Sequence, residues 1–356
     1  MLFRSCGQLR KSDDGVERRI DLVRDVADED AFHPVALFGH LDKEKEYKIF
    51  ILSEELSYED IHSLEEYLKK EFSSKTFSLK LKNVKSLCSS DKDSFYTEIH
   101  VSASTYLRFY IPTLFSNFDK ILYLDCDLIF FSSIDYLLQF DLEDFCLGAV
   151  EDLREEIARK IELRVSGRNW KNYLEEELGM ADNDKYYQAG VMLFNIKQCL
   201  ENNFQRECLK RLKQIKRPIL SDQDIINSVF KRKIKQLPDV WNVEYQIKSD
   251  FLNNARVDQS DLIKRFIVAR KNVKILHYAS SAKPWNNIHD SDSCYWWIAA
   301  RRARNYEVLL LQQMNESKFH LARIIAKGIV NTFFPRGTKR RTKLKKVLES
   351  FSSKIF

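Results

Sequence analysis

The chain has 356 residues, and 44% of them are hydrophobic, so it can bury a large core and is not an intrinsically disordered protein. Its seven cysteines are scattered and form no CxxC pair, which argues against a disulfide framework and against a zinc knuckle. Residues Met1–Arg19 lack the apolar core of a secretory signal, and no apolar stretch approaches the ~20 residues that span a bilayer. We therefore expect a protein that is made and kept in the reducing cytoplasm.

After a polar N-terminal extension, residues 1–19, strand-like and helix-like patterns alternate as far as residue 145. Apolar strand patterns lie at Ile20–Val26, Lys48–Leu52, Phe77–Leu81 and Lys120–Leu124, and helical spacing lies at Tyr58–Phe72 and Tyr96–Leu114. This alternation predicts an α/β fold with a mostly parallel central sheet flanked by helices. Ligands of such sheets lie at the carboxyl ends of the strands.

The alternation continues to about residue 312, where the composition turns basic. Further strands are predicted at Phe145–Val150, Tyr186–Asn195 and Val273–Tyr278, a charged helical insertion at Glu151–Asp184, and helices at Ile196–Ile215 and after Ser221, which is a candidate N-cap. We therefore predict one main domain over residues 20–312 and a basic tail over residues 313–356.

Two carboxylates follow the strand predicted at Lys120–Leu124. They belong to the triplet Asp125-Cys126-Asp127, which a second apolar run, Leu128–Phe131, follows directly. Residues two apart on an extended backbone point the same way, and a buried strand end does not tolerate two uncompensated carboxylates. A divalent metal ion is the simplest compensation. For such a triplet alone, the alternative is that Asp only ends the strand as a turn former.

A third candidate ligand, His277, ends the strand predicted at Val273–Tyr278, and Lys283 follows it in the same loop. Two carboxylates and an imidazole suit Mn²⁺ or a similar octahedral ion, with positions left for phosphate oxygens. The Lys283 ammonium offers a charge to the same phosphates. The alternative for His277 is a buried histidine that bonds a backbone carbonyl. Together these residues predict a site for a metal ion and a diphosphate.

Six motifs stand in a characteristic order: Tyr106-Leu107-Arg108, Leu122–Asp127, Gln188–Asn195, Asp222-Gln223-Asp224, His277-Tyr278 with Lys283-Pro284-Trp285, and Trp296-Trp297. In these motifs, residues 20–306 resemble the retaining glycosyltransferases of family 8, which use nucleotide sugars and include bacterial lipopolysaccharide galactosyl- and glucosyltransferases. The resemblance implies a GT-A (Rossmann-like) nucleotide-diphospho-sugar transferase fold and a hexosyltransferase activity.

The resemblance also assigns roles to individual residues. It implies that Asp125, Asp127 and His277 hold Mn²⁺ or Mg²⁺. It implies a nucleotide-sugar site that comprises Ala27, Asp28, Asp30, Phe32, Arg108, Asp125, Cys126, Gln188, Ser280 and Lys283. It implies a catalytic group that comprises Gln223, Asp222, Asp152 and Asp224, with Gln223 closest to the anomeric carbon.

The chemistry of sugar transfer agrees with these roles. Breaking the sugar–phosphate bond leaves negative charge on the diphosphate, where a divalent ion and Lys283 stabilise it. Oxygens of Gln223 and Asp222 can stabilise an oxocarbenium-like sugar. Retention of configuration requires either a covalent intermediate, with Asp224 or Asp152 as the nucleophile, or attack from the face of the leaving group. The alternative for the two aspartates of the Asp222-Gln223-Asp224 motif is that they are first-turn acids favoured by the helix dipole.

Several positions depart from the family pattern. Asp30 and Ala31 stand where an amide and a base-stacking aromatic are usual, and Phe32 is the candidate that stacks on the base instead. Gln188 replaces an asparagine, and Ser280 replaces a glycine at which the backbone approaches a phosphate closely.

The basic tail combines an amphipathic segment with a cluster of cations. Leu321–Phe334 is amphipathic, and Arg336–Lys346 then supplies seven cations. An interfacial helix with a polybasic segment is typical of proteins that dock on anionic lipid. Nucleic-acid binding and a merely solvated helix are the alternatives, and we favour the membrane because the cations accompany an apolar face.

We therefore expect a cytoplasmic, peripherally membrane-associated enzyme that transfers galactose or glucose from a UDP-sugar with retention. The expected acceptor is a cell-surface glycan, such as a lipopolysaccharide or capsule precursor, or a lipid-linked saccharide, and no nucleic acid is expected as a partner. The alternatives are a metal-dependent phosphotransferase or nucleotidyltransferase and a non-catalytic, degenerate glycosyltransferase scaffold.

Overall fold

The structure is a computed structural model that describes residues 3–9, 18–24, 35–54, 56–89, 91–96, 103–245, 261–279, 283–285, 292–303, 306–307 and 310–311. The strands are β1 (Phe3–Leu9), β2 (Arg18–Arg24), β3 (Glu46–Ser53), β4 (Thr76–Asn83), β5 (Lys120–Asp125), β6 (Leu128–Phe130), β7 (Leu147–Glu151), β8 (Arg164–Val165), β9 (Arg168–Asn169), β10 (Tyr187–Asn195), β11 (Ile234–Gln236), β12 (Val243–Glu244) and β13 (Ile275–His277).

The helices alternate with these strands. The α-helices are α1 (Val35–Phe38), α2 (Tyr58–Glu71), α3 (Lys85–Cys88), α4 (Ile111–Leu114), α5 (Asp135–Gln139), α6 (Leu153–Lys160), α7 (Trp170–Asn172), α8 (Ile196–Glu201), α9 (Phe204–Ile215), α10 (Asp222–Phe230), α11 (Asp261–Lys271) and α12 (Ser293–Ala300). Three 3₁₀ segments, Lys92–Ser94, Ala103–Tyr110 and Asp239–Trp241, and a π-helical turn, Tyr173–Glu177, complete the described elements.

The central sheet has eight strands in the order β11-β7-β10-β5-β1-β3-β4, with β2 paired to β1. The ladders β3–β4 and β7–β11 are parallel, whereas β1–β2, β1–β3, β1–β5, β5–β10 and β7–β10 are antiparallel. The predicted α/β class is thus confirmed, and six of the eight strands run in one direction, but β1 and β10 run against them, so most ladders are antiparallel. An apolar run indicates a buried strand without indicating its direction, and only the unit β3-α2-β4 has the simple crossover that the pattern suggests.

Helix α2 shows how local sequence sets this unit. The Ser57 hydroxyl accepts a hydrogen bond from the Asp60 backbone N–H at 3.1 Å, and the Asp60 carboxylate accepts one from the Ser57 N–H at 2.9 Å. This reciprocal capping box satisfies two donors at the start of the helix. Ile61 and Leu68, seven residues apart, are buried, so one face of the helix packs inward.

A second sheet, β12-β13-β6, brings the predicted site residues together. Strand β5 ends at Asp125 in the central sheet, and β6 begins at Leu128 in the small sheet, so the acidic triplet bridges the two sheets. Strand β13 pairs antiparallel with β6, with His277 opposite Leu128. The register of this ladder therefore places the imidazole beside Asp127.

A buried cluster holds β5 and β10 in place. Ile121 and Tyr123 of β5 pack with Met192 and Phe194 of β10 and with Phe230 of α10, all of them at most 3% exposed. The strands that carry the candidate site therefore belong to a rigid core rather than to a surface loop.

Three local features differ from the sequence-based expectation. The helix predicted at Ile196–Ile215 is two helices, α8 and α9, separated by Asn203 in the left-handed region at φ 52°, a conformation that asparagine tolerates better than most residues. Ser221 does precede α10, but its hydroxyl makes no capping bond and its φ is 50°. Phe3–Leu9, assigned from composition to a polar extension, form β1 in the central sheet.

By their internal contacts, residues 1–304 and residues 305–356 form two separate units. Most of the second unit, including the tail predicted at 313–356, lies outside the described residues, so the domain division stays a prediction. None of the helices that the structure describes is long and apolar enough to cross a lipid bilayer.

Candidate active site

Three predicted metal ligands converge where the two sheets meet. His277 Nε2 lies 3.1 Å from Asp127 Oδ1 and 3.9 Å from Asp125 Oδ2. One ligand atom from each residue lies within 4.8 Å of the others, and no other such group of carboxylate, imidazole or thiol side chains occurs among the described residues. The predicted convergence of distant parts of the chain is therefore present.

The glycine of strand β10 makes room for the imidazole. A Cβ atom on Gly190 would lie 2.3 Å from His277 Cε1 and 3.0 Å from Asp125 Oδ2. The register places Val191 opposite Leu124, so residue 190 is level with the end of β5. Only a residue without a side chain allows the His277 ring to lie against this strand.

Asn242 orients His277 from the side opposite to the carboxylates. Its Oδ1 atom lies 2.9 Å from His277 Nδ1, and its Nδ2 donates to Gln188 Oε1 at 2.6 Å. Because the amide nitrogen is used by Gln188, the oxygen is left to accept from an Nδ1–H, which leaves Nε2 as the ligand atom. Sequence patterns did not single out Asn242, since one asparagine in a loop has no diagnostic spacing.

Asp127 is the most constrained of the three ligands. Burial raises the pKa of its carboxyl, but the Lys283 ammonium and the His277 imidazole outweigh burial and hold this pKa below its usual range. For His277, burial is the largest single effect and lowers the pKa, but the carboxylates of Asp127, Asp125 and Glu244 together outweigh it and the net pKa is raised. Lys283 donates to the Asp127 carboxylate and to the Tyr278 carbonyl oxygen. Asp127 is therefore an ionised carboxylate at neutral pH.

The donor set fits a divalent cation. Asp127 Oδ1 is buried and accepts no hydrogen bond, a costly arrangement unless another partner compensates it. Ligands of an octahedral ion with bonds of about 2.1 Å lie about 3 to 4.2 Å apart, and the separations of 3.1 and 3.9 Å fall in that range. Two carboxylates and one imidazole suit Mg²⁺ or Mn²⁺.

Arg108 links the acidic triplet to helix α10. Its guanidinium lies 3.2 Å from Asp125 Oδ1 and 2.8 Å from Asp222 Oδ2, and it donates to the Ala189 carbonyl oxygen. The ring of Tyr123 lies under it at 4.6 Å, and the Tyr123 hydroxyl donates to Asp125 at 2.6 Å. This buried cation fixes the position of both carboxylates. Arg108 thus has a positioning role besides the sugar-binding role that the resemblance implies.

Gln223, at the start of α10, reaches the other predicted acid. Gln223 Nε2 donates to Asp152 Oδ2 at 2.9 Å, and its Oε1 accepts from the Ala189 N–H at 2.8 Å. Asp152 also caps α6 by accepting from the Glu155 N–H at 3.0 Å. Gln223 and Asp152 thus form a hydrogen-bonded pair, and together with Gln188, which bonds Asn242, they make up a layer next to the metal ligands.

Asp224 lies behind this layer. It is fully buried, and it accepts hydrogen bonds from Tyr173 at 2.7 Å, from Tyr186 at 2.6 Å and from the Leu220 N–H at 2.8 Å. Burial raises its pKa to about 6. With its oxygens occupied by three protein donors, Asp224 holds α10 in place. Both oxygens of Asp152 are likewise bonded by protein donors, so Asp152 and Asp224 both stay predicted candidates for the nucleophile.

Several buried acids surround Asp152 and were not expected. Glu155 and Glu244 each have a pKa raised to about 8, by burial first and by the Asp152 carboxylate second. Arg154 Nη1 lies 3.9 Å from Glu244 Oε2. Glu155, at the start of α6 in the segment predicted as a charged helical insertion, Glu151–Asp184, is therefore buried beside Asp152.

Five of the predicted site residues, Ala27, Asp28, Asp30, Phe32 and Ser280, lie outside the described residues. Cys126 is described, and it is buried between the two aspartates. Among the side chains that the structure describes, it is one of six cysteines with free thiols, the others being Cys88, Cys146, Cys199, Cys208 and Cys294.

Comparison with known proteins places the chain in a family. The model of glycosyl transferase family 8 matches residues 25–289. The chain is 22% identical over 260 residues to general stress protein A of Bacillus subtilis. The aligned region covers 71% of this chain and 81% of that protein. The chain is also 27% identical over 172 residues to a lipopolysaccharide 1,2-glucosyltransferase of Escherichia coli. That aligned region covers 48% of this chain and 45% of the enzyme.

The fold is similar to that of the bifunctional glycosyltransferase WbbM in its apo form. The TM-score is 0.66 at 26% identity, with 84% of this chain and 54% of that chain covered. The chain therefore spans about half the length of WbbM and of the Escherichia coli enzyme. The predicted GT-A fold and glycosyltransferase activity are confirmed. Since the family model spans well over half of its length, this chain belongs to glycosyl transferase family 8.

Proposed function

We propose that this glycosyltransferase transfers a hexose, galactose or glucose, from a UDP-sugar to a bacterial surface glycan with retention of configuration and with Mn²⁺ as the cofactor. The observation that carries the proposal is the convergence of Asp125, Asp127 and His277, with Lys283 beside them. Carboxylate oxygens and an imidazole around one point, next to a cation, match what a metal-bound diphosphate requires.

The leaving group is stabilised from two directions. When bound, a divalent ion supplies positive charge to the oxygens of the departing diphosphate. Lys283, in the loop after His277, supplies a second positive charge. Its contact with Asp127 places the ammonium at the edge of the metal site. Arg108 keeps Asp125 in position through its bond to Oδ1.

The sugar is proposed to lie over the layer formed by Gln188, Gln223 and Asp152. Asp152 and Gln223 are held to each other at 2.9 Å, so their oxygens are preorganised before a substrate arrives. Those oxygens stabilise the oxocarbenium-like sugar. Asp152 is either the nucleophile of a covalent intermediate or an electrostatic stabiliser for attack from the face of the leaving group.

The acceptor is inferred from the relatives and from the tail. One relative is named a lipopolysaccharide 1,2-glucosyltransferase, and another, of Salmonella typhimurium, a lipopolysaccharide 1,3-galactosyltransferase. We propose a lipopolysaccharide-type or lipid-linked saccharide as the acceptor here. The amphipathic segment and the seven cations at Arg336–Lys346 are proposed to hold the enzyme on the anionic membrane that carries such acceptors.

Incubation with a panel of nucleotide sugars and Mn²⁺ tests the activity. Release of free UDP from UDP-galactose or UDP-glucose, abolished by EDTA and restored by Mn²⁺, is the expected result. A phosphotransferase or nucleotidyltransferase would not release UDP. Absence of any heat in a calorimetric titration with UDP and Mn²⁺ would favour the non-catalytic scaffold and contradict the proposal.

Truncation after Gln312 tests the role of the tail. The truncated chain should keep its activity on a soluble acceptor and bind vesicles that contain anionic lipid more weakly than the full-length protein. Undiminished vesicle binding would refute the proposed role of the tail.

A further inference from the structure

Exposed apolar side chains cluster on one face of the catalytic unit, away from the metal ligands. Phe131 follows strand β6, and Tyr295 and Ile298 lie one turn apart on α12. Their exposed fractions are 38%, 40% and 60%, and the rings of Phe131 and Tyr295 pack edge to face with centroids 5.3 Å apart. The three residues form a contiguous apolar surface rather than scattered single residues.

Helix α12 has the composition of a buried helix. Its sequence, SCYWWIAA, contains no charged residue. Trp296 and Ala300 are buried on the inner side, but Tyr295 and Ile298 on the outer side are exposed. A helix that is apolar all round is stable only when its outer face is also covered or meets a nonaqueous phase.

Cations surround this apolar surface. Arg270, Lys271 and Lys274 line a groove together with Phe131 and Tyr295, and Arg301 is exposed directly after α12. Asp292, which pairs with Arg270, is the only acid in residues 270–274 and 292–303. We call the group Phe131, Lys271, Lys274, Tyr295, Ile298 and Arg301 the α12 patch.

We propose that the α12 patch docks on an anionic phospholipid surface, as a second membrane contact that is independent of the tail. Tyrosine and phenylalanine with adjacent isoleucine suit the headgroup region, where an apolar body and a polar tip are both satisfied. The excess of positive charge matches anionic headgroups, to which each nearby cation is attracted. The charge imbalance is what favours lipid over a protein partner of mixed charge.

Two strands connect the patch to the active site. Strand β6 starts next to Asp127 and ends next to Phe131, and β13 runs from the patch to His277. The Phe131 N–H donates to the Lys274 carbonyl oxygen at 2.8 Å, which joins the two strands at the patch end. Four residues of strand span about 13 Å. With a membrane under the patch, the active site would lie about as far from the lipid surface as a short saccharide on a lipid reaches. This inference rests on the proposed function.

Vesicle cosedimentation of the full-length protein tests the proposal. The test variant combines Tyr295→Ser, Ile298→Ser, Lys271→Glu and Arg301→Glu. The control variant makes the same kinds of change at exposed positions elsewhere: Tyr58→Ser, Leu200→Ser, Lys197→Glu and Arg206→Glu. Vesicles are phosphatidylcholine alone or phosphatidylcholine with phosphatidylglycerol.

The wild type and the control variant should bind phosphatidylglycerol vesicles equally, and the test variant at least about tenfold more weakly. Both variants should release UDP from the donor in solution like the wild type, which shows that they are folded. Equal vesicle binding by the test variant would overturn the proposal, as would no binding by the wild type. A wild-type dimer that the test variant dissociates, without a change in vesicle binding, would assign the face to a second copy and also overturn it. Absence of UDP release from the wild type would count against the proposed function, not against the vesicle result.

Discussion

His277 packs against the backbone of Gly190 so closely that a Cβ atom at residue 190 would lie 2.3 Å from the Cε1 atom of the ring. The clash involves a ring that Asn242 and Asp127 hold from two other sides. Because the imidazole has no free direction in which to move, the glycine is a requirement of the metal site and not only of the strand.

We expect Gly190→Ala to displace His277 while leaving the fold intact. Displacement of a ligand by about 1 Å should lower kcat/KM at least about 100-fold. Calorimetric titration with Mn²⁺ and the UDP-release assay measure the two effects. Gly148→Ala is the matched control, because its Cβ meets Leu142 Cδ2 at 2.8 Å in the core, far from the ligands. The control should lose about 1–3 kcal/mol of stability and keep Mn²⁺ affinity. Equal Mn²⁺ affinity in both variants would contradict this role of Gly190.

Replacing Asp127 by its isosteric amide should remove the metal site. In Asp127→Asn, turnover should fall by more than about 100-fold. Losing a residue that only positions a metal ligand already lowers metal affinity or activity about 10–100-fold. The asparagine also removes the main cause that raises the pKa of His277, so burial should then keep the ring neutral at pH 7. NMR titration of the histidine measures this change. Asp141→Asn, at an exposed position, is the control. An unchanged His277 pKa together with normal turnover would remove the metal hypothesis.

Asn242 makes two bonds that two substitutions can separate. Asn242→Asp keeps an acceptor for His277 Nδ1 but loses the donor to Gln188, whereas Asn242→Ala loses both. We expect the alanine variant to bind Mn²⁺ about 10–100-fold more weakly and the aspartate variant to bind it at least as well as the wild type. Both variants should show a higher donor KM, because Gln188 is released. Wild-type Mn²⁺ affinity in the alanine variant would show that Asn242 does not position the imidazole.

The buried carboxyl of Glu155 makes stability depend on pH. Burial raises its pKa to about 8 in the folded state, above about 4.3 in the unfolded chain. The folded state therefore binds the proton more tightly. This contribution to stability is complete below about pH 4 and is lost as pH rises toward 8.

Unfolding by urea at pH 5 and pH 9 tests this expectation. Between pH 5 and pH 9 the free energy of unfolding should fall less in Glu155→Gln than in the wild type. The difference should be a few kcal/mol, since each unit of pKa shift corresponds to about 1.4 kcal/mol. Glu66→Gln, at an exposed position on α2, should follow the wild type. Parallel changes in the wild type and in Glu155→Gln would show that Glu155 does not have a raised pKa.

The elements that sequence patterns predicted best are the buried strands. The strand predicted at Lys120–Leu124 is β5, Lys120–Asp125, and the one predicted at Tyr186–Asn195 is β10, Tyr187–Asn195. Both are short apolar runs buried on two faces, and the length of each run, rather than its periodicity, identifies it as a strand. Their ends carry the polar residues that meet at the site. Strand β13 likewise ends at His277, so the sequence predicted the three residues that converge, Asp125, Asp127 and His277, and their role as metal ligands stays a prediction.

What the sequence did not indicate depends on contacts between distant residues. The antiparallel ladders of β5 with β1 and β10 have the same apolar pattern as parallel ones. The charged character of Glu151–Asp184 does not reveal that Arg159 is buried and donates to the carbonyl oxygens of Ala181 and Asp184. Asn242 is recognisable only from its neighbours in space.

Titration of the full-length protein with Mn²⁺, in the presence and absence of UDP, tests the central claim most directly. If Asp125, Asp127 and His277 hold one ion that also binds the diphosphate, the wild type should bind one Mn²⁺ per chain, and UDP should tighten this binding. Asp127→Asn should abolish that site. Binding of Mn²⁺ that neither UDP nor the Asp127→Asn substitution changes would contradict the claim.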